Sequence, residues 1–312
     1  MVISLARKRP ALALGNVVGS AISNILGAFS LGLLFRDPSA DMFDQSSKIY
    51  STVLLVITTL SAGVLGFEHR LNQKAVGGVF VGLFALYIGS ISALVARGIA
   101  TAPAGLSDSD SDPGTSDDEE SPLARDSPPI SGDDRNRSYG TAGSRNPIPP
   151  VVLRRPRRLL YHIGMLVLGF FAILLSGFVL SNAASNLVDQ SGLSDLVFGV
   201  VILSIVTTLP EKVVAIMSGY KGHMGIMVAN TVGSNIFLLT LCLGIVWLAE
   251  QGAGSLAPSE IWVMLASTMA LNLTVLLGGK LSRLIGIAML VGYITFIVLE
   301  FTVIHGAAQD LD

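Results

Sequence analysis

Charge is what this sequence lacks most: only 13% of its 312 residues are Asp, Glu, Lys or Arg, while 51% are hydrophobic. A soluble chain of this size carries about a quarter charged residues, so the deficit excludes an ordinary soluble globular domain and points to a polytopic membrane protein. The charge that exists is unevenly spread. Ten of the 22 acids lie between Asp108 and Asp134, which leaves the rest of the chain poorer still. Cysteine is nearly absent. The lone Cys242, in an apolar run, excludes an intrachain disulfide and a thiolate metal cluster. A net charge of -2 gives no basis for nucleic-acid binding. No nucleophile–base constellation is present, so the chain reads as a non-enzyme without a cofactor. The start, Met1 to Pro10, is basic, but the apolar run after it is long and broken by Gly15-Asn16 and Ser23-Asn24. It reads as a spanning helix and not as a cleaved signal.

What is present is long apolar runs. A span needs about 20 apolar residues, and eight candidates appear: Ala11 to Phe35, Ile49 to Phe67, Ala75 to Val95, Leu159 to Ala184, Leu193 to Ser218, Met224 to Ala249, Ile261 to Gly278 and Leu284 to Val303. The break between the third and fourth, rich in Ser, Asp, Pro and Gly, cannot bury enough surface to offset its ordering entropy and is expected to be disordered. The organisation predicted is a three-helix part over residues 1–97, an acidic cytosolic loop over 98–157, a five-helix part over 158–305 and a short tail over 306–312. The loop reads as a solvated linker; a weak regulatory cation site is the lesser alternative. Arg154-Arg155-Pro156-Arg157-Arg158 closes it, and basic residues beside a span favour the cytosol. Eight crossings place Arg36, Lys48, Lys221, Lys280 and Arg283 on that side, but Arg7, Lys8, Arg9, Arg70 and Lys74 on the other, so the charge rule conflicts with itself. His69, His162, His223 and His305 fall at span ends and read as interface residues.

The fifth span contains Thr207-Thr208-Leu209-Pro210-Glu211, with a carboxylate and a helix breaker inside an apolar region. An acid there costs about 2.5–3.5 kcal/mol on the insertion scale, so Glu211 is a functional candidate; a helix-end carboxylate reaching water is the bland alternative. Broken membrane helices are tolerated where the freed backbone lines a cavity. Gly15 to Ile22 and Ala229 to Ile236 share Asn, Val, Gly, Ser and Ile at an offset of 214. Each motif helix is followed by two further spans, and five steps separate the two motif helices, so the repeat is inverted. Substrate sites at the interface of such repeats are a recurrent transporter design. Gly15, Gly19 and Gly233 are expected to admit close helix approach, either for the site or as plain small-residue packing.

Thr207 to Glu211 together with Asn230 to Phe237 resembles the second signature repeat of the cation/calcium exchanger (sodium/calcium exchanger) superfamily, and Gly15 to Asn24 resembles the latter half of the first. The resemblance covers all eight spans and leaves out the loop. It implies an all-α inverted-repeat exchanger fold with about eight of the family's ten transmembrane helices, arranged three, loop, five. By the offset, the first-repeat counterpart of Glu211 falls four residues upstream of Met1, so the chain is expected to be N-terminally truncated relative to the family. The resemblance further implies ion ligands at Thr207, Glu211, Ser20, Asn24 and Ser234, with Glu211 the metal carboxylate and backbone carbonyls near Ser204. Thr208, Pro210, Asn16, Asn230, Gly233 and Asn235 would support them. Position 238, matching Asn24, holds Leu238, where the family usually has Asn or Asp; Asn235 is a partial substitute. Glu211 is then the only acid expected deep in a span, and Lys212 beside it either snorkels or pairs.

The implied function is secondary active antiport: calcium, or a similar cation, against sodium or protons, by alternating access. The second hypothesis is a transport-incompetent truncated or degenerate homologue with a structural or regulatory membrane role. An intramembrane enzyme using Glu211 ranks last, because no base or metal cluster accompanies it. The partners implied are the lipid bilayer and the transported cations, and the chain is an integral multi-pass membrane protein.

Overall fold

The computed structural model describes residues 9–37, 43–67, 71–96, 156–249, 256–277 and 282–304. Among them every regular element is helical, as the unbroken apolar runs require: in hydrocarbon a backbone must satisfy its own hydrogen bonds. Seven helices are long and apolar enough to cross a membrane, and a bent pair makes an eighth span. The span α1 (Pro10–Leu34) is followed by α2 (Gln45–Gly66) and α3 (Gln73–Ala96). Beyond the loop come α4 (Pro156–Ser191), the bent pair α5 (Asp195–Thr207) and α6 (Leu209–Tyr220), then α7 (Met224–Leu248), α8 (Pro258–Leu277) and α9 (Ser282–Leu299, prolonged by a π-helical turn, Glu300–Ile304). The chain is thus an all-α membrane protein with three spans before the loop and five after it. The predicted disordered loop lies, but for its last two residues, outside the described residues, as do Arg7, Lys8, Arg70, Lys280, His69 and His305.

Two compact units are distinguished, residues 1–106 with 172–312, and residues 107–171. Of the second, only the start of α4 is described. Beyond Arg157 and Arg158 it is apolar, and Leu166, Leu168 and Phe170 are exposed, as on a lipid-facing helix. The fourth span runs to Ser191, beyond the expected end at Ala184, because Asn182 to Gln190 contains no helix breaker.

In the first unit the core follows α1, whose apolar window is 89% buried. Phe29, Leu12, Leu14, Ile22 and Ile25 are among its fully buried side chains, and Met227, Ile236, Leu239 and Leu243 of α7 are buried with them. The amide of Asn235 donates to the carbonyl of Ala21 at 3.3 Å. Positions 21 and 235 are related by the repeat offset, so the motif helices cross at equivalent residues, as on a two-fold axis. Both also carry a π-helical turn at matching places, Ser23–Phe29 and Leu238–Cys242. A π-turn inserts an extra residue into the helical ladder and often marks a functional position. The turn from α6 to α7 needs Gly222 at φ 74°, a left-handed conformation that glycine adopts without penalty.

Helix ends confirm which charges share a side. Arg36 donates to Ser282 Oγ at 2.9 Å, and Arg283 to the carbonyl of Arg36 at 3.2 Å. At the opposite end Arg9 pairs with Asp189 and Asp195. That pairing offsets one of the charges on which the charge rule conflicted.

Candidate ion site at the helix crossing

Pro210 fixes the geometry. A proline has no N–H to give and tolerates only the first turn of a helix. The fifth span therefore ends one helix at Thr207 and restarts at Leu209, with a bend of 46°. The carbonyl end of α5 and the N-terminal end of α6 meet inside the bundle. Glu211 lies in the first turn of α6, where the helix dipole favours a carboxylate.

Two glycines let α1 approach this junction. A Cβ at Gly15 would lie 2.6 Å from the carbonyl oxygen of Leu196, and one at Gly19 2.2 Å from that of Val200. Only glycine permits such contact. It brings together Asn16, Ser20 and Thr207: Thr207 Oγ1 donates to Asn16 Oδ1 at 3.2 Å and lies 3.3 Å from Ser20 Oγ, while Ser20 Oγ also donates to Asn16 Oδ1 at 3.3 Å. Thr208 is buried and donates to the carbonyl of Ser204 at 2.6 Å.

Asn24, fully buried, donates through Nδ2 to Asn235 Oδ1 at 3.2 Å. Asn235 Nδ2 is used by Ala21. Both halves of the Asn235 amide are therefore committed to joining α1 and α7, and the residue does not stand in for the ligand that Leu238 fails to supply. Ser234 and Asn230 are half-buried on α7.

Three polar atoms here are buried without a hydrogen-bond partner among the described residues: Glu211 Oε2, Asn24 Oδ1 and Asn230 Nδ2. An orphaned buried polar atom is costly and calls for an explanation. Two of the three are hard oxygens, the donor type that calcium and sodium take.

One expectation is corrected. Gly233, expected to admit close packing like Gly19, has nothing within 4 Å of a would-be Cβ among the described residues. Two further acids are buried at helix ends: Glu260 and Glu300 are 0% and 3% exposed. Glu260 Oε2 accepts from the Ala257 amide at 2.9 Å, the reach-back half of a capping box with Pro258 at the first helical position, and its carboxyl also faces that of Glu300. Of the two alternatives left open for Lys212, snorkelling or pairing, the structure shows a paired ammonium. It turns inward and donates to Ser23 Oγ at 2.8 Å and Thr208 Oγ1 at 2.5 Å. Sequence reasoning also missed Ser23 and Tyr293, whose hydroxyl donates to Ser23 at 2.7 Å. Ser23 had a signal, since it faces the same way as Ser20 and Gly27; Tyr293 had none.

A groove of about 880 Å³ between α8 and α9 is lined mostly by apolar side chains such as Leu26, Val263, Met289 and Phe296, with Glu300 and the hydroxyls of Ser259, Ser267 and Thr295 among the rest.

A family model described as sodium/calcium exchanger protein matches residues 1–92 and 161–302. The putative antiporter CaxA of Alkalimonas amylolytica is 36% identical over 121 residues, 38% of either chain. The sodium/calcium exchanger MaX1 of Methanosarcina acetivorans is 28% identical over 144 residues, 42% of this chain and 40% of that one. The chain therefore spans about two fifths of the length of the curated relatives it matches. Among solved structures, the sodium-calcium exchanger NCX_Mj superposes with a TM-score of 0.58 at 18% identity, over 96% of this chain and 81% of that one. At that identity the likeness shows the fold.

Proposed function

The chain belongs to the sodium/calcium exchanger protein family, and from that premise we propose that it is a secondary active antiporter exchanging calcium, or a similar cation, for sodium or protons by alternating access. The observation that carries the reading is the pair of orphaned buried oxygens, Glu211 Oε2 and Asn24 Oδ1, beside a broken helix inside the membrane. On this reading Thr207, Glu211, Ser20, Asn24 and Ser234 ligate the transported cation, and Glu211 supplies the charge. Thr208 and Pro210 shape the break. Asn16 orients Ser20 and Thr207, and Asn235 holds the two motif helices together. Asn230 joins the ligand set if its amide makes a half-turn and presents its oxygen. Exchange follows when two cations compete for these oxygens while the bundle alternates between two gated states.

The test is calcium uptake into proteoliposomes against an imposed sodium or proton gradient. Wild-type chain is expected to take up calcium, and Glu211→Gln, which keeps the shape and removes the charge, to lose about 100-fold or more in initial rate, the scale of a lost charged ligand. Gradient-driven uptake by Glu211→Gln at the wild-type rate would refute the assignment.

A further inference from the structure

Lys212 is the one site residue that antiport leaves without a task. It is half-buried, directly after the carboxylate, and its ammonium is turned away from water into a cluster of hydroxyls. Ser23 of α1, Thr208 of the α5–α6 break and Tyr293 of α9 converge there. The protons run in one direction. Tyr293 donates to Ser23 at 2.7 Å, Ser23 and Thr208 lie 2.9 Å apart, and Thr208 donates to the Ser204 carbonyl at 2.6 Å. That leaves lone pairs of Ser23 and Thr208 for the ammonium. Space is made for it as well: a Cβ at Gly27 would lie 3.2 Å from Lys212 Cε and 3.3 Å from Tyr293 Cε1, both tighter than ordinary contact. A shell of neutral hydroxyl oxygens beside a carboxylate is what a monovalent cation takes from a protein. Here a side-chain cation has taken it.

We propose that the Lys212 ammonium is a tethered cation that fills a monovalent position of the transport site and weakens binding of the divalent cation at Glu211 beside it. The proposal rests on the antiport reading. Two like charges among the same helices repel strongly in a low dielectric, and an ammonium on four carbons cannot leave with the cargo. Each transport cycle therefore carries fewer mobile cations than the oxygen count of the site would allow.

The test measures equilibrium binding of radioactive calcium and sodium to the full chain in nanodiscs, for wild type, Lys212→Met and Lys212→Arg, each with and without Glu211→Gln. Lys212→Met is expected to bind calcium about tenfold tighter or more and to take up an additional sodium ion per chain. Lys212→Arg, which keeps the charge, is expected to show neither gain. Glu211→Gln is expected to abolish calcium binding in every background. If Lys212→Met elutes and melts as a folded protein and binds both ions as wild type does, or more weakly, the tether is refuted while antiport stands. If no variant binds either cation, the antiport reading falls and takes the tether with it. Lys212→Gln, polar but uncharged, is read in the same way should the methionine variant fail to fold.

Discussion

Gly19 and Gly233 are equivalent in the repeat, yet alanine at the two positions is expected to act in opposite directions. In mid-helix, glycine to alanine gains about 0.5–1 kcal/mol from lower chain entropy alone. At Gly233 nothing among the described residues lies within 4 Å of the added methyl, so that gain stands and the melting temperature should rise by a degree or two. At Gly19 the methyl would sit 2.2 Å from the carbonyl oxygen and 2.6 Å from the Cα of Val200, both backbone atoms that cannot rotate away. Helices α1 and α5 must separate by about 1 Å to restore contact, and overpacking of this kind costs about 1–3 kcal/mol. The net loss is about 1–2 kcal/mol, several degrees in melting temperature. The same movement stretches the 3.3 Å contact between Ser20 and Thr207 and the 3.2 Å bond from Thr207 to Asn16 past hydrogen-bonding range, so cation binding should weaken together with stability. Thermal unfolding of the detergent-purified variants, paired with calcium binding, reads both effects. A Gly19→Ala chain as stable as wild type, or a Gly233→Ala chain as damaged as Gly19→Ala, would refute the packing argument.

Asn235→Leu leaves Asn24 Nδ2 buried without a partner, removes the side-chain donor to the Ala21 carbonyl, and should cost about 1–3 kcal/mol by denaturant titration. Adding Asn24→Leu should recover part of that loss, because the orphaned Asn24 amide is then gone; a double variant worse than the sum would count against the clamp. Glu300→Gln, which removes a charge facing the Glu260 carboxyl and adds an amide donor, is expected to raise the melting temperature, whereas Glu260→Ala should lower it by the loss of the α8 cap, about 1 kcal/mol. A drop in melting temperature for Glu300→Gln would mean that its carboxyl does more than repel.

The spans, their order and the break at Pro210 were legible because each is a one-dimensional signal. Hydropathy sets length, and a missing N–H sets the bend. The repeat offset was legible too, but the two π-turns at matching places in it were not, since no propensity scale marks them. What stayed hidden was rotational setting. A helix between lipid and protein is apolar on both faces, so its pattern does not tell which face packs. Tyr293 reaches Ser23 across 270 positions of chain, and nothing in the last span distinguishes that tyrosine from one at a lipid interface. Lys212 could be placed only once Gly27 was seen to make room for it. Gly233 misled because its motif repeats that of Gly19 while its surroundings do not.

That asymmetry bears on where a cation would sit. Helices that cross at equivalent residues, Ala21 and Asn235, bring matching positions of both repeats close to one axis. If the repeats were chemically equal, the best cation position would lie on it. They are not equal. Asn24 presents an unpartnered Oδ1, while Leu238, its counterpart, offers no oxygen. Asn16 is bonded to Ser20 and Thr207, whereas Asn230 Nδ2 has no partner. Thr207, Ser20, Asn24 and Glu211 therefore draw the proposed cation off the axis, toward the break between α5 and α6. The Lys212 ammonium is held on Thr208 of that same break. Under this arrangement cargo and tethered charge crowd one side of the crossing, so exchanging a single ammonium for a methyl should matter more than restoring a carboxylate at Leu238 on the other side.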